Sequence, residues 1–531
     1  MNDTANGNGS LPHTEAQPGA MRMIGVDIGT TSTKAVLFQE NGTVMTTSNI
    51  GYPLYTPTPS TAEQDPDEIL RAVMDTIAGV MKDSSTSPEQ VLFVSFSSAM
   101  HSLIAVDEQG KPLTRCITWA DNRSAAYARK LKHELNGQDI YMRTGTPIHP
   151  MSPLTKLMWL SDEQPDLVAR TYKFISIKEY VFLRLFGEYV VDHSIASCTG
   201  LFNLRELDWD AEALNIAGIT ATKLSRPVPT THQLAGMNPE AAMLMGLSVD
   251  TPFIVGASDG VLSNLGVGAI EPGVVAVTIG TSGAIRTVVD EPVTDPKGRI
   301  FCYALTEDKW VIGGPVNNGG MLFRWVRDEF AASEVETAKR LGIDSYDVLT
   351  RIAEQVPAGS EGLLFHPYLT GERAPLWNPD ARGSFIGLTM KHRKEHMIRS
   401  VLEGVIFNLY TVMLAMKEQI GHPAKIHATG GFARSSLWRQ MMADIFDQEV
   451  IVPESIESSC LGAVVLGLYG MGRIESLDIV SSMIGSTHAH EPKPEHTHVY
   501  HQLLPIYVSI FRSLEQQYTA LAQFQNREQS L

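Results

Sequence analysis

The sequence predicts an α/β protein built from two related domains, and three observations carry that expectation. The chain has 531 residues, more than one hydrophobic core usually organises. Residues 25–38 read GVDIGTTSTKAVLF and residues 277–286 read VTIGTSGAIR, so one Ile-Gly-Thr-Thr/Ser turn after an apolar run is written twice, about 250 residues apart. In the first copy only a short apolar run, 34–38, separates the glycine turn from a second turn signal, Glu40-Asn41-Gly42. That spacing is too short for a helix that offsets its own nucleation. Each half therefore opens on a β-meander, with the Gly-Thr turn joining two antiparallel strands. The P-loop and Rossmann readings need a helix directly after the glycine turn and are excluded. No GxxxxGK[ST] string occurs.

The elements follow in order. Apolar runs at 22–28 and 34–38 and the stretch 43–47 predict the three strands of the first meander. A helix over 65–82 starts with Asp65 as cap and Pro66 in the first turn. Strands are expected at 91–95 and 102–106, and mixed strands and helices continue to about residue 260. The second half restarts with strands at 274–279, 285–289 and 310–312, then helices at 321–331, 397–417 and 437–446. A last amphipathic helix covers 507–523 and packs either internally or between subunits. The expected division is a tail without fixed structure over 1–20, a first domain over 21–262 and a second over 263–525.

Composition narrows the function class. Hydrophobic content of 43% and charged content of 19% suit a soluble globular chain, and the net charge of −17 argues against capture of nucleic acid. An anionic ligand stays open, because local amides and Mg²⁺ override a global sum. Four cysteines lie far apart without a CxxC pair, which suits reduced thiols and a cytoplasmic location. The first twenty residues lack the apolar core of a secretory signal, and no apolar run is expected to span a bilayer.

In the first turn, Gly29, Thr30 and Thr31 allow amides and hydroxyls to approach a phosphate closely. Asp27 would repel a bare phosphate, so it fits that reading only as a partner of Mg²⁺, direct or through water. Otherwise the stretch is a plain hairpin with a solvated aspartate. The second turn, Gly280, Thr281 and Ser282, can grip a second phosphate without a carboxylate. Residues 255–260, VGASDG, contain GxSxG. Either Ser258 is the nucleophile of a serine hydrolase, or Asp259 is a carboxylate at a strand end placed to take a proton from a hydroxyl. HRKEH at 392–396 matches a zinc-peptidase pattern but sits at a helix start, where a solvated polar turn is the usual meaning. His101 at a strand end reads as structural or functional. Trp119, Asp121 and Arg123 offer an aromatic face, a carboxylate and a guanidinium to a polyol or sugar acid, unless Asp121 and Arg123 only pair with each other. Gly430 and Gly431 after a strand permit a flat approach of a ring and its phosphates to the backbone.

Together these stretches resemble the FGGY carbohydrate kinases of the sugar-kinase, heat-shock-ATPase and actin superfamily. Residues 151–163, MSPLTKLMWLSDE, are similar to the family's first signature, and residues 383–403 to its second, which absorbs HRKEH. The resemblance spans residues 22 to at least 466. Within the family the wording at 97–102, 117–124 and 143–153 is most similar to the branch that phosphorylates gluconate, with xylulose the alternative substrate. The resemblance implies two ribonuclease-H-like domains around a catalytic cleft, ATP mainly on the second and the sugar mainly on the first. It implies Asp259 as general base, Asp27 as the carboxylate linked to Mg²⁺, and the Thr30 and Thr281 turns as phosphate loops. It places Gly430 and Gly431 at the nucleotide, and Met100, His101, Trp119 and Met151 in the sugar pocket. Arg123, His101, His149 and Lys156 are the local candidates to read a substrate carboxylate. The expected partners are a small sugar acid and ATP, with a homodimer as a further expectation and neither nucleic acid nor membrane. A non-catalytic ATP-driven protein of the same superfamily is the second class of reading, one that would need neither Asp259 nor a polar sugar pocket.

Overall fold

The computed structural model describes residues 21–453 and 457–527; the tail expected over 1–20 lies outside them. The first half opens with β1 (Arg22–Ile28), β2 (Ser32–Gln39) and β3 (Val44–Gly51), an antiparallel meander as expected. Helix α1 (Pro66–Ser84) is capped by the Asp65 side chain, which accepts from the amides of Asp67 and Glu68. Strand β4 (Val91–Ser98) then returns parallel to β1. Helix α2 (Pro153–Glu163) carries the first signature. Two further strands, β5 (Gln233–Leu234) and β6 (Phe253–Ser258), complete a six-stranded sheet in the order β5-β6-β4-β1-β2-β3. Residues 102–106 do not join it: only Ile104–Val106 is extended, and it pairs antiparallel with Lys173–Ile175.

Helix α3 (Asp259–Gly266) leads into the second half. There β7 (Val274–Ile279), β8 (Gly283–Val289) and β10 (Trp310–Val316) form another antiparallel run of three neighbouring strands, and β9 (Phe301–Ala304) pairs with the outer side of β10. The long α4 (Lys394–Ile420) precedes β11 (Lys425–Thr429), α5 (Ser436–Phe446), β12 (Val450–Pro453), α6 (Ser458–Gly470), β13 (Ser486–His490) and α7 (Pro494–Arg527). The second sheet is seven-stranded, in the order β9-β10-β8-β7-β11-β12-β13. Its core repeats the first: β7 is antiparallel to β8 and parallel to β11, as β1 is antiparallel to β2 and parallel to β4. The duplicated ribonuclease-H-like fold is present.

Three features depart from the sequence reading. Helix α4 is long and apolar enough to cross a membrane, contrary to expectation, but 83% of its apolar stretch is buried inside the second half. It is the core helix of that sheet, packing Val401, Val405, Leu409 and Val412 beneath it. Helix α7 starts at Pro494 and contains Pro505; it packs internally, burying Tyr500, Tyr507, Phe511 and Tyr518. Helix α6, late in the chain, seals a face of the first sheet, where Cys460, Leu461 and Val464 join Met23, Phe93 and Ile254 in one apolar cluster. Helices α3 and α6 meet backbone to backbone at two glycines. A Cβ on Gly266 would lie 1.8 Å from the Ser458 carbonyl oxygen, and one on Gly462 would lie 2.0 Å from that of Leu262. The two halves are thus joined at a close crossing of helices.

Candidate active site

The ends of β1, β4, β6 and β7 converge between the sheets, and the side chains there come from both halves. Asp27 faces Ser97 across the β1–β4 ladder, and the Ser97 hydroxyl donates to its Oδ1 at 2.7 Å. Burial raises the Asp27 carboxyl above its ordinary range, with Ser97 and Lys34 opposing the shift. The turn after β1 closes with the Gly29 amide donating to the Ser32 carbonyl at 3.0 Å, and the second turn closes with the Gly280 amide donating to that of Ser282 at 2.9 Å. Among the described residues the amides of Thr30, Thr31, Thr281 and Ser282 have no acceptor, leaving two pairs of free donors.

Asp259 is the first residue of α3, held where β6 ends, and its own Oδ1 accepts from the Gly260 amide at 2.6 Å. Burial, reinforced by the nearby Asp27 carboxylate, pushes Asp259 up to about 6. Its neighbour Ser258 is fully buried. The Ser194 hydroxyl donates to Ser258 Oγ, and the Ser258 amide donates to Ser194 Oγ, both at 3.1 Å. Among the described residues no histidine bonds to Ser258, so the hydrolase reading fails: the side chain can meet neither a substrate nor a base.

A cavity of about 290 Å³ opens in front of Asp259, lined by Thr30, Met100, His101 and Trp119 from the first half and by Gly280, Ser282, Arg286, Tyr303 and Arg373 from the second. His101 has a left-handed backbone (φ 66°), held by two bonds: its Nδ1 donates to the Cys198 carbonyl at 2.7 Å, and its own carbonyl accepts from Lys156 at 2.6 Å. Burial, with Lys156 next, drives the imidazole down to about 3, so it is neutral and presents Nε2 as an acceptor. Trp119 Nε1 donates to Thr30 Oγ1 at 2.9 Å, tying this wall of the cavity to the first Gly-Thr turn.

A second cavity of about 410 Å³ shares Gly280 with the first and is lined by Thr281, Gly320, Phe323, Tyr346, Gly431 and Trp438 among others. A Cβ on Gly280 or Gly431 would meet nothing within 4 Å, so both positions leave open space at the backbone. Gly430 (φ 101°) brings β11 against β7, since a Cβ there would lie 2.3 Å from the Ile279 carbonyl oxygen. The dimensions and the mix of aromatic rings with bare backbone fit a nucleotide.

Several expected residues are elsewhere. Arg123 is held by Glu63 at 2.6 Å and Asp121 at 2.8 Å and lies over the Trp159 ring, so it is a structural ion pair off the cavity. Met151 is buried in the core of the second half; only its carbonyl serves the site, accepting from Lys156 at 2.8 Å. Lys156 spends all three protons on the carbonyls of His101, Thr118 and Met151 and cannot reach a substrate. Burial, with Arg373 next, drives the His149 imidazole down to about 3, so it is uncharged. His392 lies in the loop before α4, where its Nδ1 accepts from the Thr389 amide at 2.9 Å. No cluster of three metal-ligating side chains occurs among the described residues, so HRKEH builds no zinc site.

The sequence matches the N-terminal domain of the FGGY family of carbohydrate kinases over residues 22–266 and the C-terminal domain over residues 275–471. The chain belongs to that family. The kinase is 63% identical over 505 residues to a gluconokinase of Bacillus subtilis, covering 95% of this chain and 98% of the relative. A solved gluconate kinase from Lactobacillus acidophilus superposes with a TM-score of 0.90 at 38% identity, covering 95% of this chain and all of that one. A solved xylulose kinase from the same organism has the same TM-score and identity, covering 94% and 100%. Sequence reasoning on the kinase missed Arg286, Tyr303 and Arg373. Arg286 stands six residues after Gly280 on β8, so a period-2 reading of that strand from the turn would have pointed its side chain to the cleft. Arg373 sits in a loop with no periodicity to follow.

Proposed function

We propose that this kinase transfers the γ-phosphoryl group of ATP to the 6-hydroxyl of D-gluconate, giving 6-phosphogluconate and ADP, with Asp259 as the general base. The observation that carries the reading is one carboxylate, Asp259, at the back of a polar cavity that opens through Gly280 onto a nucleotide-sized one. A sugar hydroxyl is a poor nucleophile at neutral pH, and a positioned base supplies typically ~10²–10⁴-fold. Alignment and charge neutralisation supply more. The free amides of Thr30, Thr31, Thr281 and Ser282 are the donors available to the transferred phosphoryl group and to its neighbour in the chain of phosphates. The Trp119 ring offers a face to the carbon chain, and neutral His101 accepts from a sugar hydroxyl.

Asp27 fits a magnesium ion that arrives with the triphosphate. One of its oxygens takes the Ser97 proton and the other has no donor among the described residues. Among the described residues no group of three His, Cys, Asp or Glu side chains surrounds it, so phosphates would supply most of the coordination. When bound, the ion supplies neutralisation of phosphate charge.

Gluconate is favoured over xylulose by the 63% identity to a gluconokinase. A cytoplasmic location suits the four cysteines, which are all free and buried. The homodimer expected from the sequence stands as part of this proposal, and sedimentation velocity at micromolar concentration decides it. The central test is Asp259→Asn: phosphoryl transfer to gluconate falls by about 10³-fold or more while ATP-analogue affinity holds. Near-normal turnover would remove Asp259 from the reaction.

A further inference from the structure

Among the described residues, the buried cations around the sugar cavity have partners, with two exceptions. Lys156 is saturated by three carbonyls, Arg123 by Glu63 and Asp121, and buried Lys178 by Asp192 at 2.6 Å. Arg286 and Arg373 line the sugar cavity, and neither has a carboxylate within ion-pair distance among the described residues. Arg286 makes no hydrogen bond there at all, and its Nε is buried without an acceptor. Arg373 donates only to neutral oxygens, Asn317 Oδ1 at 2.7 Å and the Val316 carbonyl at 3.2 Å, and lies 5.0 Å from the Trp119 ring centroid.

The nearest acid in sequence, Glu372, is already spent. Its oxygens accept from the amides of Asn317 and Arg373 and from the side chains of Asn318 and Asn408, and none of these is a guanidinium. Two guanidiniums in one cavity repel each other, and a buried donor without an acceptor costs its full desolvation penalty. An anion held between them removes both costs. Asp259 is not that anion, since it stands outside ion-pair distance of either and the reaction needs its oxygens for a hydroxyl proton. Arg286 packs beside it: a Cβ on Gly260 would lie 3.1 Å from Arg286 Nε.

We propose that Arg286 and Arg373 form the subsite that receives the substrate's carboxylate and so select a sugar acid over a neutral sugar or polyol. This rests on the gluconate reading and assigns the charge recognition that Arg123, Lys156, His101 and His149 cannot perform. Planar guanidiniums suit a carboxylate because each can donate two parallel N–H bonds to it. Arg286, wholly without bonds, gains most when the acid binds.

The experiment compares D-gluconate with D-glucitol, the same chain with a hydroxymethyl group in place of the carboxylate. Steady-state kinetics and ligand-induced thermal shift are measured for the wild type, Arg286→Met, Arg286→Lys and Arg373→Met. The proposal expects the gluconate-to-glucitol ratio of kcat/KM to fall about 10²-fold in Arg286→Met. The fall comes through the KM for gluconate, the KM for ATP is unchanged, and Arg286→Lys recovers part of the loss. Arg373→Met moves the ratio in the same direction, and gluconate's thermal shift shrinks in both methionine variants. The proposal is overturned if neither methionine variant moves the ratio, or if both substrates lose kcat alike or the KM for ATP rises, which would place the arginines on the phosphoryl group. A wild type that binds gluconate without phosphorylating it refutes the function above, while its thermal shifts still decide the subsite.

Discussion

The two Gly-Thr turns occupy equivalent places in the duplicated fold, yet the residue before each differs in a way that divides their work. At the end of β1, Asp27 faces Ser97 on the parallel neighbour. At the end of β7, Thr278 faces Thr429 on its parallel neighbour, and the two hydroxyls share a hydrogen bond of 3.0 Å. The backbone solution is the same in both halves: a glycine amide closes the turn and leaves two amides free. Only the first half adds a carboxylate. Duplication thus accounts for a pair of turns with free amides, and a single residue difference gives a carboxylate to only the first of them.

The sharpest way to break this comparison is to remove the same position from each half. Asp27→Asn should lower kcat by about 10²–10³-fold with Mg²⁺-ATP, whereas Thr278→Val should cost less than about tenfold, the value of one ordinary hydrogen bond. Equal losses in parallel kinetic assays would mean that the two turns do the same job. The pH profile gives the next largest effect. As the proposed general base Asp259 must be ionised, and burial together with Asp27 raises it to about 6. Activity as kcat/KM should therefore rise tenfold per pH unit up to about 6 and then level. In Asp27→Asn the surviving acid limb should move to lower pH, because a like charge has been removed; a limb that stays put would show that Asp27 does not act on Asp259.

Stability should move the other way from activity. Asp259 is raised in the folded state, so its ionisation opposes folding, fully above about 6 and not at all below the unfolded value near 3.8. Asp259→Asn should accordingly raise the melting temperature at pH 8, by on the order of 1–3 kcal/mol of stability, and leave it unchanged near pH 3.5. No gain at pH 8 would mean that the cleft solvates this carboxylate. The smallest effect is expected at the residue beside it. Ser258→Ala removes a hydroxyl that meets the buried side chains of Ser194 and Cys198, so turnover should stay within about threefold.

Legibility in the sequence differed between elements and follows their range of interaction. The meanders were readable because strand, turn and strand lie within about thirty residues and the turn chemistry is local. The cap at Asp65 and the strand ends at Ile28 and Ile279 were readable for the same reason. Helix α4 was underestimated as a span because apolar periodicity does not say what a helix packs against. Arg123 was misplaced because Glu63, the partner that holds it, is 60 positions away.

The sequence by itself determined the two Gly-Thr turns, the single carboxylate in the first of them, the strand-end position of Asp259 and the family. These depend on backbone preference and on short patterns, which the chain carries in linear order. Tertiary structure alone decided which charges face the cleft. It turned Arg123 and Lys156 into struts, sank Ser258 beneath Asp259, folded α6 back over the first sheet, and brought Arg286 and Arg373 to one cavity from distant positions. Whether a guanidinium is spent or free depends on which carboxylates lie within a few ångströms of it, and that distance exists only once the chain has folded.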